Sequence, residues 1–336
     1  EIPKRDWSSD VCSSDLVGFS FFPSAVLGLL ASPLAGAAVV YQMTGGAVEL
    51  ANGGIATEFP RAEIPKICSR LLSFLACNIC GHFDAVIVRG RRTKEFVAQH
   101  TRARRIQIIA GSVDPRRFLK NGQVDYLYDI AFVGRLVPVK QPSHLVAVIA
   151  KVARHRPKMR AVIVGDGPLM RQAMEEAVMF GLGERIRFIG HSDKVEDIVT
   201  RSKIFLMTSR SEGLSIALAE AMIGGAVPVV PDVGDLCDLV KDGETGWLIP
   251  PGDLEAYARR ICQTLEDDAL RRQLSANARA AAFQSNALEH IIARWKECLE
   301  SITSVETQGS EDAGRVLIKT EESENSDMPL ATADSQ

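Results

Sequence analysis

The stretch that decides the fold is residues 161–190, AVIVGDGPLMRQAMEEAVMFGLGERIRFIG. Ala161–Val164 is an unbroken apolar run, the pattern of a strand buried on both faces. Gly165-Asp166-Gly167-Pro168 turns the chain, and Pro168 suits the first position of a helix, where an amide hydrogen would be unpaired anyway. Leu169–Phe180 reads as that helix and Ile186–Ile189 as the next strand. Strand, crossover helix and strand form a parallel unit with a right-handed connection. The alternation continues in both directions. Towards the C-terminus come helix Lys194–Arg201, strand Ile204–Met207, helix Ile216–Ile223, strand Val227–Val230 and closing helices from Asp253, Ala269 and Ala287. In the last of these, Leu288, Ile291, Ile292, Trp295 and Leu299 keep helical spacing. Towards the N-terminus lie helix Ser143–Ala153, with Leu145, Val148, Ile149 and Val152 on one face, and strand Ile130–Val133. A polar linker, Asp114–Tyr126, separates these from strand Arg105–Ala110, helix Thr93–His100 and strand Asp84–Val88. Before them, Ile64–Cys80 places Ile67, Leu71, Leu72, Leu75 and Ile79 on one helical face, closed by Gly81. The fold class is α/β, in two Rossmann-like parallel-sheet units joined near residue 120.

Composition agrees with a soluble globular protein. The chain has 336 residues, 46% hydrophobic and 24% charged, enough for two domains with real cores. Its net charge of −3 excludes a generally basic nucleic-acid binder. The charge is uneven: residues 301–336 hold eight acids against two bases, and the rest of the chain is net +3. That acidic, aromatic-poor tail is expected to be disordered. Seven cysteines, an odd number, suit a reducing compartment, and the expected location is cytoplasmic. At the other end, DWSSDVCSSDL (6–16) repeats Ser-Ser-Asp and resembles translated adapter sequence, the plainer reading being a polar, disordered terminus. Residues 17–40 carry no charge over 24 positions, long enough to cross a membrane. Pro23 and Pro33 divide them, however, and a short helix Ser24–Ala31 capped by Ser24, followed by a buried strand Ala37–Gln42, is the better reading. The expected divisions are therefore 1–16, non-native or disordered; 17–124, a partial N-terminal Rossmann-like domain; 125–300, a complete C-terminal Rossmann-like domain; and 301–336, the acidic tail.

In open parallel sheets ligands sit beyond the carboxyl ends of the strands, so the loops after the strands carry the chemistry. After Val133 comes Gly134-Arg135-Leu136-Val137-Pro138-Val139-Lys140, in which Arg135 and Lys140 can grip a diphosphate as fork and point charge. Two solvated cations are the plainer alternative. After Val164, Gly165-Asp166-Gly167-Pro168 departs from the dinucleotide fingerprint, because Met170 stands where a third glycine is required. It is also readable as a tight turn into a helix. No Walker-type phosphate loop occurs. After Met207, Ser209-Arg210-Ser211-Glu212-Gly213-Leu214-Ser215 leads into a helix bearing Glu220. Free amides around Gly213–Ser215 suit an anion, and carboxylates beside that anion suit vicinal hydroxyls. Glu220 as decoration on an Ala-rich helix is the alternative. The loop Pro231–Asp235, with Gly234 and two aspartates, reads mainly as a connection.

Taken together, Gly134-Arg135-Leu136 with Lys140, Val164-Gly165-Asp166-Gly167-Pro168, Phe188-Ile189-Gly190, Ser211-Glu212-Gly213 with Glu220-Ala221-Met222, Pro228-Val229-Val230 and Gly246-Trp247-Leu248-Ile249-Pro250-Pro251-Gly252-Asp253 resemble the retaining family-4 (group 1) glycosyltransferases of GT-B fold. The resemblance covers about residues 105–300; Gly111–Phe118 is similar to the family's approach to the hinge. It implies two Rossmann-like domains facing across a cleft, with a UDP-, GDP- or ADP-sugar on the C-terminal one and a glycan, lipid-linked or small-molecule acceptor on the N-terminal one. By position, Arg135 and Lys140 would neutralise the leaving diphosphate, Glu212 would hold donor-sugar hydroxyls, and Glu220 the ribose diol. Gly134, Gly165, Gly213, Leu214 and Ser215 would line the donor seat. The catalytic set is Arg135, Lys140 and Glu212, with no metal and no other cofactor.

The chain also departs from the family. Where many members carry an active-site histidine, this one has Met43-Thr44-Gly45-Gly46, and the first glycine-rich acceptor loop has no counterpart after residue 17. The N-terminal unit is thus expected to be incomplete, which leaves two alternatives open: a GT-B sugar-nucleotide epimerase, or a non-catalytic nucleotide-sugar-binding remnant. Cys77-x-x-Cys80, near Cys68 and His82, lacks a second pair for zinc and reads as buried helical cysteines. His191 touches the donor or is a polar loop residue. Between Arg89 and Arg117 nine cations face Glu95 and Asp114. They form either a solvated face or a dock, for anionic lipid at the inner face of the membrane or for a phosphorylated acceptor.

Overall fold

The computed structural model describes residues 16–19, 21–35, 37–54, 66–118 and 125–302. The expected segment 1–16 (save Leu16), most of the tail 301–336, the middle of the linker and the start of the helix expected at Ile64 lie outside them. Chain contacts divide the molecule at Arg294–Trp295, and both sheets belong to the first unit.

Among the described residues, ten parallel strands form two sheets. The first contains β1 (Leu16–Phe19), β2 (Val39–Gln42), β3 (Ala85–Val88) and β4 (Ile106–Ile108), in that spatial order. The second contains β5 (Tyr128–Val133), β6 (Ala161–Val164), β7 (Ile186–Gly190), β8 (Ser202–Leu206), β9 (Val227–Pro231) and β10 (Trp247–Ile249). Its order is β10-β9-β8-β5-β6-β7, the doubly wound order that reverses direction between β5 and β8 and opens a crevice there. The helices are α1 (Val26–Ala35), α2 (Lys66–Ile79), α3 (Arg91–His100), α4 (Pro142–His155), α5 (Met170–Met179), α6 (Val195–Val199), α7 (Ile216–Gly224), α8 (Leu254–Glu266) and α9 (Asp268–Asn286).

The central strands expected from apolar runs are present because those runs are buried on both faces; the edge strands β4 and β7 are only partly buried. In β5, Ile130 and Phe132 join the core beneath α4 and α8, while Ala131 packs with Val162 and Val164 on the other face. Leu145, Val148, Ile149 and Val152 of α4 are fully buried, as their spacing predicts. Helix starts follow capping chemistry. The Ser215 hydroxyl accepts from Leu218 N, Asp253 from Ala256 N at 2.9 Å, and Asp267 from Ala269 N and Leu270 N at 2.9 Å each.

Three expectations need correction in the N-terminal sheet. Leu16–Phe19 is a strand, paired in parallel with β2; its first residue, Leu16, is the last of the string set aside as non-native. Helix α1 does not start from a Ser24 cap: a π-turn over Phe21–Ala25 leads into it, and it continues through Pro33 to Ala35. Proline removes the amide that would bond the Leu29 carbonyl, and the Ser32 hydroxyl takes that place, donating to Leu29 O at 3.1 Å. In α2 the expected face is rotated by one residue: Leu71 and Leu75 are 58% and 46% exposed, while Ala76 is buried and Ile79 packs on the core. Apolar residues lie all round this helix, so periodicity alone does not fix the inward side. Among the described residues no helix is long and apolar enough to cross a membrane.

Candidate functional site

The crevice between β5 and β8 is where the two charged loops meet. The β5 loop leaves Val133 through Gly134, whose amide donates to Val164 O at 3.0 Å. It is stitched to the β6 loop: Leu136 N donates to Asp166 O and Leu169 N to Leu136 O. Gly165 there has φ +128°, and a Cβ on it would collide with the Gly134 carbonyl oxygen, so only glycine fits. The loop ends in a short 3₁₀ turn, Pro138–Lys140, and then in Gln141, whose φ of 50° and ψ of 60° make it the one described non-glycine residue with positive φ. From the β8 side, the buried Thr208 hydroxyl lies 3.2 Å from the carbonyls of Lys140 and Gln141, and Arg210 N donates to Val139 O at 2.8 Å.

This stitching aims Lys140 at Glu212. Lys140 Nζ donates to Glu212 Oε1 at 2.6 Å, and the two side chains are only 22% and 9% exposed. Sequence reasoning gave these residues separate jobs, one for diphosphate and one for sugar; the structure makes them a single charge pair. Arg135, on the same loop, is exposed and bonds to no described residue through its guanidinium. Leu214 is buried and Ser215 caps α7, so the amides at that end stay aimed along the helix axis. Glu220, one turn further in, stands apart from the pair. It is half-buried, accepts no hydrogen bond from a described residue, and faces Arg117 and Glu196. Burial pushes its carboxyl up, with Arg117 opposing and Glu196 reinforcing the shift. Beside the loop, the Ser209 hydroxyl is buried without a partner.

The N-terminal sheet closes the other side. Glu49, buried, accepts from the Tyr41 hydroxyl, from Thr44 N and Oγ1 at 2.8 Å each, and from Gly45 N. This fixes Thr44-Gly45-Gly46 against the glutamate loop, where a Cβ on Gly213 would stand 2.6 Å from Thr44 O. Further along, Asp235 accepts from Thr93 N at 3.0 Å and Thr93 Oγ1 at 2.5 Å. Asp238 accepts from Arg91 N at 2.6 Å and Arg91 Nε at 2.7 Å. Helix α3 has no cap of its own, since Gly90 precedes it; its first-turn amides are capped by carboxylates of the other sheet's loop. The stretch read as a connection is therefore an interdomain clasp. Sequence reasoning missed Glu49, Asp235, Asp238 and Thr93, and only the paired aspartates offered a signal.

Four of the nine cations between Arg89 and Arg117 are held in ion pairs. Arg91 pairs with Asp238, Arg92 with Asp232, Arg116 with Asp114 and Arg117 with Glu196. His191 pairs with Asp193, and both side chains are exposed. Cys80 is buried, and burial pushes its thiol up to about 12. No three metal-ligating side chains cluster among the described residues.

Two parallel α/β domains, facing each other across a crevice at the switch point of the second, are the GT-B architecture. Residues 117–281 match the family of glycosyl transferases group 1. A 2-deoxystreptamine glucosyltransferase of Streptomyces kanamyceticus is 28% identical over 283 residues, 79% of this chain and 70% of that protein. The N-acetyl-alpha-D-glucosaminyl L-malate synthase of Bacillus anthracis is 25% identical over 57% of this chain; the chain spans 52% of its length. Among solved structures, Anabaena HepE in complex with UDP superposes with a TM-score of 0.70 at 20% identity, covering 85% of this chain and 79% of that one.

Proposed function

We propose that the chain transfers a hexosyl group, with retention, from a nucleotide-diphosphate sugar to a hydroxyl of a carbohydrate, lipid-linked or small-molecule acceptor, as a family-4 enzyme. The observation that carries this reading is the Lys140–Glu212 pair beside the amide end of α7, at the β5–β8 switch. A donor anion entering there draws Lys140 from Glu212, and the freed carboxylate accepts from sugar hydroxyls. The anomeric C–O bond breaks with its electrons going to the diphosphate, whose new charge Arg135, Lys140 and the amides of Gly213 and Leu214 stabilise. The acceptor oxygen bonds the anomeric carbon, and its proton passes to the departing phosphate. Glu220, half-buried and unpartnered, is the seat for the ribose diol, with Gly134, Gly165 and Ser215 shaping the donor loops. UDP is the favoured donor nucleotide, in line with the HepE complex.

The test is incubation of the chain with labelled UDP-, GDP- and ADP-sugars and a panel of acceptors. NMR of the product's anomeric centre reports retention. Epimerised donor without transfer would replace the reading with an epimerase, and binding alone with a non-catalytic remnant.

A further inference from the structure

Two buried polar atoms at the carboxyl edge of the N-terminal sheet have no hydrogen-bond partner among the described residues. Arg89 follows β3 directly, and its Nε has no accessible surface and no hydrogen-bond partner. Gln42 ends β2; it is 4% exposed, and its Oε1 is likewise buried and unpartnered. Gln42 is the register partner of Ile87, and Arg89 lies two residues on, so both side chains project from the same face of the sheet. That face is opposite the one on which Tyr41, Val86 and Val88 pack into the core. It looks towards the donor domain: the spot where a Cβ on Gly111 would sit is 2.6 Å from Arg89 Nη1 and 2.8 Å from Ile216 Cγ1, the first residue of α7. Glu49 is the carboxylate near Arg89, but its oxygens are taken by Tyr41, Thr44 and Gly45. A guanidinium Nε–H withdrawn from water and given no acceptor is costly to hold, and burial of the partly exposed side chain pulls the Arg89 pKa down.

We infer that Arg89 and Gln42 form an acceptor subsite that takes an oxyanion, carboxylate or phosphate, on Arg89, and an adjacent hydroxyl on Gln42 Oε1. This rests on the donor site lying at Gly213–Ser215, because only then does the Arg89 face border the acceptor side of the reaction. The donor's diphosphate is the competing owner of Arg89. It is disfavoured because Arg135 and Lys140 already stand on the donor domain's own loops, while Arg89 and Gln42 both belong to the opposite sheet.

The experiment titrates inorganic phosphate, and separately acetate, into the full chain saturated with UDP, at matched ionic strength in chloride. Calorimetry and the Nε–H signal of Arg89 in nitrogen-correlated NMR report binding. The wild type is expected to bind one of the two anions saturably, with the Arg89 signal moving. Arg89→Gln should lose about tenfold or more in that affinity while UDP affinity stays within about twofold. Arg89→Lys keeps the charge without the fork or Nε, and should keep the fold while binding the anion more weakly. Whether phosphate or acetate binds identifies the anion. Absence of anion binding in the UDP complex would overturn the inference, as would equal binding by Arg89→Gln. A tenfold loss of UDP affinity in that variant would hand Arg89 to the donor. Failure of the wild type to bind UDP at all would instead strike the donor-site reading itself.

Discussion

Replacing Asp235 by alanine tests whether the two sheets are held by the clasp on α3. Asp235 is fully buried and Thr93 nearly so, so the variant strands the Thr93 amide and hydroxyl away from water. Two hydrogen bonds to a carboxylate at about 1.5–3 kcal/mol each, taken as only partly additive, give a loss of about 3–5 kcal/mol. The loss of a helix N-cap, about 0.5–2 kcal/mol, is already contained in that figure. The damage belongs between the sheets, because Thr93 opens the helix after β3 and Asp235 lies between β9 and β10. The variant is therefore expected to show hydrogen exchange at Arg91–Lys94 speeded by two orders of magnitude or more, while β6 and β8 stay protected. At about 2–4 °C per kcal/mol, the transition that includes the N-terminal sheet should fall by roughly 6–20 °C. Asp235→Asn, still able to accept one bond, should fall between. Unchanged exchange at α3 together with a melt matching the wild type would refute the clasp.

The same geometry sets other expectations. Glu212→Ala frees Lys140, so nucleoside-diphosphate affinity should hold or rise by calorimetry while sugar transfer is lost; Lys140→Met should weaken UDP about tenfold. Burial raises the Glu220 carboxyl above its ordinary 4.5, so the folded chain holds that proton more tightly than the unfolded one, and stability tied to it is present below 4.5 and falls as pH rises through the raised value. Glu220→Gln should accordingly melt above the wild type at pH 7 and match it near pH 4, while losing about tenfold in UDP affinity. Gly165→Ala drives a methyl into the Gly134 carbonyl and should destabilise the C-terminal sheet by more than about 3 kcal/mol in urea unfolding, with β5-loop amides the first to lose protection.

The C-terminal sheet was legible because its central strands are buried on both faces and read as solid apolar runs; Ala161–Val164 matches to the residue. Leu16–Phe19 was not, since four apolar residues beside an odd polar string carry too little pattern. The inward side of α2 was hidden by an excess of apolar residues rather than a lack. At the site, Lys140 and Glu212 were legible singly, each following a strand, but their contact spans 72 positions and arises from the switch in strand order. The clasp was illegible for the same reason, because Asp235 and Thr93 are matched only through the packing of two sheets. Glu49 carried no signal at all, being one carboxylate in a loop without a motif.

Gln141 has an implication for anyone who would breed a hardier version of this chain. Its left-handed backbone stores about 1–3 kcal/mol at the joint between the Lys140 turn and α4. A screen that rewards survival on heating alone should find glycine there, since glycine adopts that shape without strain. The winner would tolerate heat better and let the lysine wander, so that each round of selection for robustness would trade away aim. A screen that also scores turnover should leave position 141 untouched and look for its gains elsewhere, for instance on the exposed side of α2.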